Sequence, residues 1–312
     1  MKRTKILLDA DVGIDDAVAM LFLAGRPDAE LVAVGSVHGN IPSDLAAANA
    51  LRLLELCGLD DDVPVAIGAR RPMAQPLATA EWVHGADGLG NIGHPAARRA
   101  PSNESAVEQI LRLTAESPGE ITIVAVGPLT NLGLALCLDP SLAQRVKSVS
   151  VMGGAIVHEG NASPTAEANI WHDPEAAQLV FDAGWPVTMV GLDVTMATRL
   201  RKQQLDEIAA MGSTRGDFAH KILQHYLDVY EKSFGTRECP LHDPLAAGIA
   251  LDPTYIQEEL VRDVGVNLTG PTRGATIIDR RPWYEPSGKP LTRVPMRVDS
   301  DRFVADLLNA LR

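Results

Sequence analysis

Aromatic residues make up only 4% of this 312-residue chain, although 46% of it is hydrophobic. Its core must therefore be built from Ala, Leu and Val rather than from rings. Cysteine is scarce: Cys57, Cys137 and Cys239 are far apart and odd in number, and no Cys-x-x-Cys pair or Cys/His zinc spacing is present. That usage points to a reduced, cytoplasmic compartment. Positive charge is in deficit, with 28 Lys and Arg against 40 Asp and Glu and a formal net charge of −12. No basic run occurs, which argues against a nucleic-acid partner. No apolar run reaches the roughly 18 residues of a membrane-spanning helix. The basic start (Lys2, Arg3, Lys5) leads into an apolar stretch that stops at Asp9, too short for the h-region of a signal peptide. Internal repeats, low-complexity segments and linkers are also missing, so a single large domain over residues 1–312 is expected.

What the chain does have is four carboxylates within eight residues near its start, Asp9, Asp11, Asp15 and Asp16. An apolar run ends in Asp-x-Asp, Gly13 gives a turn, and Asp15-Asp16 opens an apolar helical pattern. The segment reads as a strand, a tight loop and a helix N-terminus. Asp9 and Asp11, two residues apart on extended chain, share a face. Asp15 and Asp16 fall in the first helical turn, where the dipole favours negative charge. Four crowded anions still raise each other's pKa. A bound cation relieves this, and ligands that are all oxygen suggest Ca²⁺ or Mg²⁺. The alternative is helix capping plus solvated surface charge, which fits poorly with a strand that reads as buried.

Strand-like runs at Lys5–Leu8, Leu31–Val37, Val63–Ile67, Ile121–Val126, Val146–Met152 and Val187–Val190 alternate with Ala- and Leu-rich helical patterns. This rhythm predicts an α/β fold: an open, Rossmann-like, mostly parallel central sheet flanked by helices. A long helix is expected over about Thr214–Ser233 and another over Pro244–Ala250. A strand-rich C-terminal extension follows from Leu260 to Arg297, then a last helix capped by Ser300. The Gly-, Pro- and His-rich stretch from Ala69 to Ser102 reads as a long functional or disordered loop.

Polar residues follow several predicted strands: Asp9 and Asp11, His38-Gly39-Asn40, Gly127 to Asn131, and Gly153-Gly154. In open α/β sheets ligands bind beyond the carboxyl ends of the strands, so one rim gathers them all. Each has a plainer reading. Asn40 can be a turn residue. His84, in a Gly-punctuated stretch that reads as exposed, can be a surface histidine or a ligand contact. Glu167 and Asn169, at strand-like i, i+2 spacing, and Asn161 can face a polyhydroxylated ligand or solvent. Asp243, just before Pro244, is either an Asp N-cap or a metal carboxylate with His242 beside it for acid–base work. Tyr226 and Tyr230 share a helical face and, with Trp171, can stack on a base or pack in the core.

Together these residues resemble the inosine–uridine-preferring nucleoside hydrolase family. The family's Asp-x-Asp-x-Gly-x-Asp-Asp signature stands at Asp9 to Asp16. The resemblance continues in order through His38–Asn40, Val126–Asn131, Met152–Gly154, Asn161, Glu167–Asn169, Asp173–Ala177 and His242–Pro244. It implies a Ca²⁺-dependent hydrolase that splits ribonucleosides into ribose and free base, in nucleoside salvage. Asp11, Asp16, the carbonyl of Val126 and Asp243 would hold the ion, and Asp11 would deprotonate a metal-bound water. Asp15, Asn40, Asn161, Glu167, Asn169 and Asp243 would grip the ribose, with Met152 beside them. His84 and His242 would lie toward the base, and His242 would help protonate it. Asp9 would support the site. The expected partners are a small-molecule ribonucleoside and further copies of the chain, as homodimer or homotetramer. Ala10, Val12 and Ala168 depart from the family; an aromatic residue is usual at the last. Two rivals share the motif: a haloacid-dehalogenase-like phosphatase using Asp9 and Asp11, and a non-catalytic ribose- or nucleoside-binding protein.

Overall fold

Alternate residues of the first strand feed opposite layers. Ile6, Leu8 and Ala10 pack into one apolar cluster while Leu7 packs into another on the far side of the sheet. The same division recurs where Val124 and Ile123 part company. This is what a sheet buried on both faces requires. The protein is described by a computed structural model over residues 3–59 and 61–312.

The strands are β1 (Thr4–Ala10), β2 (Ala29–Ser36), β3 (Val65–Ala66), β4 (Ile121–Ala125), β5 (Ser148–Met152) and β6 (Val187–Val190). A small pair, β7 (Arg199–Leu200) and β8 (Cys239–Pro240), precedes β9 (Ile256–Arg262). Another small pair, β10 (Gly265–Val266) and β11 (Thr276–Ile277), precedes β12 (Thr292–Val298). The main sheet has eight strands in the order β3-β2-β1-β4-β5-β6-β12-β9. Every pairing in it is parallel except β12 with β9. The chain winds outward from β1 to β3 and then, from β4, in the other direction. The crevice between β1 and β4 is therefore the topological switch point, where ligands bind in such sheets.

One helical layer holds Ile14–Gly25, Thr214–Phe234, His242–Leu251 and Ser300–Leu311. Ala106–Glu116, Thr130–Leu138 and Pro174–Asp182 cover the other face. No helix among the described residues is long and apolar enough to cross a membrane.

Several expected boundaries move for local reasons. The last helix is capped by Asp299, whose carboxylate accepts the Arg302 N–H; Ser300 instead bonds Thr198. Strand β3 is only two residues long, because its run soon turns away. The long stretch from Ala69 to Ser102 contains a short helix, Glu81–His84. Glu167 and Asn169 are not on a strand: Glu167 caps the helix Ala168–His172.

Candidate active site

Strand register builds the site floor. Asp9 lies opposite Gly35 of β2 and Ala125 of β4, and the Val126 N–H continues the ladder to the Asp9 carbonyl. Asp11, the His38–Asn40 turn and Val126 therefore emerge at one rim. The approach is close: a Cβ on Gly39 would stand 2.0 Å from Asp11 Oδ2. One on Gly13 would stand 2.5 Å from His84 Nδ1 and 2.7 Å from Asn40 Nδ2. Only glycine permits these three chain segments to meet.

Asp11, Asp15, Asp16 and Asp243 are all buried or nearly so, and burial is the main force pushing each carboxyl up. Neighbouring carboxylates add to it for Asp11, Asp16 and Asp243, and Asp16 is driven to about 7. Carboxylate oxygens of Asp15, Asp16 and Asp243 lie within 4.8 Å of one another. Oδ1 of Asp15 and Oδ1 of Asp16 are buried without a hydrogen-bond partner. Buried carboxylates this close together, two of them with an orphaned oxygen, fit a hard divalent cation. Asp15 thus joins the tightest cluster, where the sequence reading had Asp11. Asp11 sits at its margin, accepting Asn40 N at 2.6 Å and Asn40 Nδ2 at 3.1 Å. Asn40 Nδ2 also reaches Asp16 at 3.0 Å, so this amide spans two carboxylates.

Asp243 lies inside the first turn of the helix His242–Leu251 and caps nothing, which removes its plain N-cap reading. The Val126 carbonyl accepts from Asn169 Nδ2 at 2.8 Å, and the Met152 carbonyl does so at 3.1 Å. Glu167 accepts three backbone N–H groups, from Gly154, Asn169 and Ile170. Burial nevertheless pushes its carboxyl up to about 7. Asn161 is exposed at the rim, its Oδ1 holding the Ala168 N–H. Asp9 stands behind the site, bonded to Asn131 Nδ2 at 2.8 Å and pushed by burial to about 7.

A cavity of about 540 Å³ opens over these groups. Part of it is walled by aromatics from the helix Thr214–Phe234. Tyr226 and Tyr230 pack edge to face with centroids 4.8 Å apart, and Tyr230 stacks on Phe234 at 5.5 Å. Hydrogen bonds link this wall to the carboxylates. Tyr226 donates to Asp15 at 3.3 Å, its hydroxyl is 3.5 Å from that of Tyr230, and Tyr230 is 3.0 Å from His242 Nε2. Nδ1 of His242 meets Thr195 Oγ1 at 2.8 Å. Burial holds His242 neutral, its pKa lowered to about 4. His84, expected as an exposed loop residue, is buried on the cavity wall. The same cavity is also lined by Ala78, Trp82 and Val83, by the turn His158–Ala162, and by Ala168 and Trp171. No Lys or Arg is among the described residues that line the cavity.

Thr195 and Phe234 escaped the sequence reading. Phe234 continues the i, i+4 spacing of Tyr226 and Tyr230, which is a usable signal. Thr195 gives none, since its partner lies far along the chain. Asp193 was also unforeseen: it accepts the N–H groups of Ile156, Val157 and His158 and so fixes the turn that carries Asn161.

Comparison with known proteins bears on this geometry. Residues 6–305 match the family model described as inosine-uridine preferring nucleoside hydrolase. A curated relative of that description from Leishmania major is 38% identical over 310 residues, covering 98% of this chain and 97% of its own. A solved plant nucleoside hydrolase superposes with a TM-score of 0.95 at 34% identity, over 99% of this chain and 98% of that one. A purine-preferring ribonucleoside hydrolase from Gardnerella vaginalis gives 0.92 at 32%, with the same coverage.

Proposed function

This chain belongs to the inosine-uridine preferring nucleoside hydrolase family and hydrolyses the N-glycosidic bond of ribonucleosides; we propose that it does so with one Ca²⁺ and with Asp11 as general base. The observation that carries the assignment of residues is the convergence of Asp11, Asp15, Asp16 and Asp243 at the switch point, beneath a cavity with an aromatic wall.

Asp11, Asp16, Asp243 and the Val126 carbonyl, with Asp15 close by, would hold the ion, which would supply charge neutralisation for the carboxylates and a fixed point for water and the ribose hydroxyls. Asp11 is aligned by the two Asn40 hydrogen bonds and takes a proton from the attacking water, which adds to C1′. Positive charge grows on the sugar as the C1′–N bond breaks, as in glycoside hydrolysis. Asp15, Glu167 and Asp243 surround it with negative charge. Asn40, Asn161, Asn169 and Met152 complete the ribose cradle; the Asn169 amide is already anchored by two carbonyls. The base leaves against the aromatic wall, stacked by Tyr226 and Tyr230, and receives a proton from the chain that ends at His242.

The whole chain, residues 1–312, acts as one catalytic domain. Three free, unpaired cysteines suit a cytoplasmic setting. Assembly as homodimer or homotetramer belongs to the same reading and is checked by sedimentation. The phosphatase alternative lacks support, since no Lys or Arg among the described residues lines the cavity to meet a phosphate.

The test is a panel of ribonucleosides assayed for free ribose, on protein stripped with a chelator and then refilled. Ribose release that returns with calcium supports the reading. Full activity in metal-free protein, or activity restored by zinc but not calcium, sinks the metal assignment.

A further inference from the structure

The proposed reaction leaves three buried polar side chains, His38, Thr130 and Asp173, without a task. They form one hydrogen-bonded line. The Thr130 hydroxyl donates to Asp173 Oδ2 at 2.7 Å, and Thr130 Oγ1 lies 2.9 Å from His38 Nε2. The direction of the line is set by its end. Both oxygens of Asp173 are acceptors, Oδ2 also for the Met73 N–H at 3.0 Å and Oδ1 for the Ala176 N–H at 3.2 Å. A threonine hydroxyl has one hydrogen to give. Thr130 gives it to Asp173, so His38 donates to Thr130 from Nε2. Nδ1 of His38 then carries the lone pair, and it is buried with no hydrogen-bond partner. Among the described residues, Thr130 alone orients this imidazole by a hydrogen bond.

The line ends at the turn that holds Asp11. His38 opens this turn and Asn40 closes it, bonding both Asp11 oxygens through its backbone N–H at 2.6 Å and its Nδ2 at 3.1 Å. Gly39, between them, is wedged. A Cβ there would stand 2.0 Å from Asp11 Oδ2 and 2.8 Å from Pro128 Cδ. Pro128 belongs to the loop that leads from β4 to Thr130, so the loop presses on the turn and Thr130 fastens it. The anchor at the far end is firm. Asp173 caps the helix Pro174–Asp182, which packs on Thr130–Leu138. None of the three side chains lines the cavity.

Resting on the reading of Asp11 as general base, we propose that Asp173 is a positioning residue for that base, acting through Thr130 and His38 on the Asn40 turn. Asp173 neither meets substrate nor moves a proton in the reaction. It fixes the imidazole, the imidazole fixes the turn, and the turn sets the Asn40 N–H against Asp11 Oδ2. A base misplaced by about 1 Å can cost on the order of 10²-fold in rate. The ribose contacts are made by other segments, so binding should be spared.

The experiment places Thr130→Val, Thr130→Ser and Asp173→Asn in the parent and Thr130→Val also in Asp11→Asn. Each metal-loaded enzyme is assayed on inosine and on a nitrophenyl riboside, with calcium content measured alongside. Thr130→Val removes the hydroxyl at nearly constant shape. It should lower kcat about tenfold or more on both substrates, with KM within about threefold and calcium unchanged. Asp173→Asn should follow it, and Thr130→Ser, which keeps the hydroxyl, should stay within about threefold of the parent. In Asp11→Asn there is no base left to orient, so adding Thr130→Val should change kcat by less than about twofold. Near-parent kcat in Thr130→Val overturns the inference, as does a serine variant as slow as the valine. A loss confined to inosine overturns it too, because it would put the line on the side of the leaving base. Losses that add in full in the double variant mean a structural role only and also overturn it. Should Asp173→Asn fail to fold for want of its helix cap, the Thr130 pair still decides. If Asp11→Asn itself turns over at near-parent rates, the base reading fails and takes the inference with it.

Discussion

His84 accepts the backbone N–H of Ile14 through Nδ1, at 3.1 Å. The imidazole thus caps the start of the helix that carries Asp15 and Asp16. Its one hydrogen is on Nε2, and the positive end of that helix opposes a second. Burial drives its pKa down to about 3, so it stays neutral throughout the working range. His84 is a fixed hydrogen-bond donor on the cavity wall. Under the proposed mechanism the departing base draws its proton along the Tyr226–Tyr230–His242 hydrogen bonds; burial leaves the His242 imidazole neutral as well, so what sets it apart from His84 is this chain and not its charge.

That division of labour is measurable. His242→Ala and Tyr230→Phe should each slow inosine hydrolysis about tenfold or more, since general acid catalysis is worth about 10²–10⁴-fold. Both should leave a nitrophenyl riboside, whose leaving group needs no proton, close to parent rates. Equal losses on both substrates would mean that these residues only place Asp243.

Asp11→Asn keeps an oxygen at the site but accepts no proton, so kcat should fall about 10²-fold or more with metal still bound. Asp16→Ala should instead lose metal. Elemental analysis beside steady-state rates separates the two, and near-parent turnover in Asp11→Asn counts against it as the base.

Ribonucleosides should be strongly preferred over 2′-deoxyribonucleosides. Removing a hydroxyl leaves buried polar groups near Asp15 and Asn40 unpaired, at about 1–3 kcal/mol each. A site built around a hydroxyl rejects its absence. Comparable kcat/KM on uridine and deoxyuridine would contradict the proposed cradle.

The stability of the metal-free protein should fall as pH rises. Asp9 and Asp16 are held near pH 7 by burial, above their unfolded values, so the folded state keeps protons that the unfolded state releases. Their contribution is whole below the ordinary carboxylate pKa and is lost as pH climbs through about 7. Thermal unfolding in chelator should show Tm dropping between pH 5 and 8, roughly the span of those shifts. Calcium should remove the part due to Asp16. A Tm that is flat or rising over this interval would contradict the burial of unpaired carboxyls.

The layered sheet was legible because its period shows in the chain: short Val- and Ile-rich runs between Ala-rich helices admit little else. The Asp9–Asp16 loop was legible for the same local reason, since strand, glycine turn and helix start are contiguous. Longer-range readings were less exact. Glu167 and Asn169 lie at a spacing that suits a strand, but Glu167 satisfies the free N–H groups of a helix, and a spacing of two residues cannot show that. His84 looked exposed amid glycines; those glycines instead let the segment fold back onto Gly13. Thr195 could not be seen at all, because only the packed fold brings it to His242.

Asp16 and Asp243 are far apart in the chain and approach only when the helix His242–Leu251 docks on Ile14–Gly25. Contacts of such sequence separation form late, after the entropy of closing the intervening chain has been met. An ion that bridges them binds the finished fold and little before it, so it should act on departure from the native state rather than arrival. Calcium should lower the unfolding limb of a denaturant chevron and leave the refolding limb in place. The catalytic centre then serves the chain as its kinetic latch.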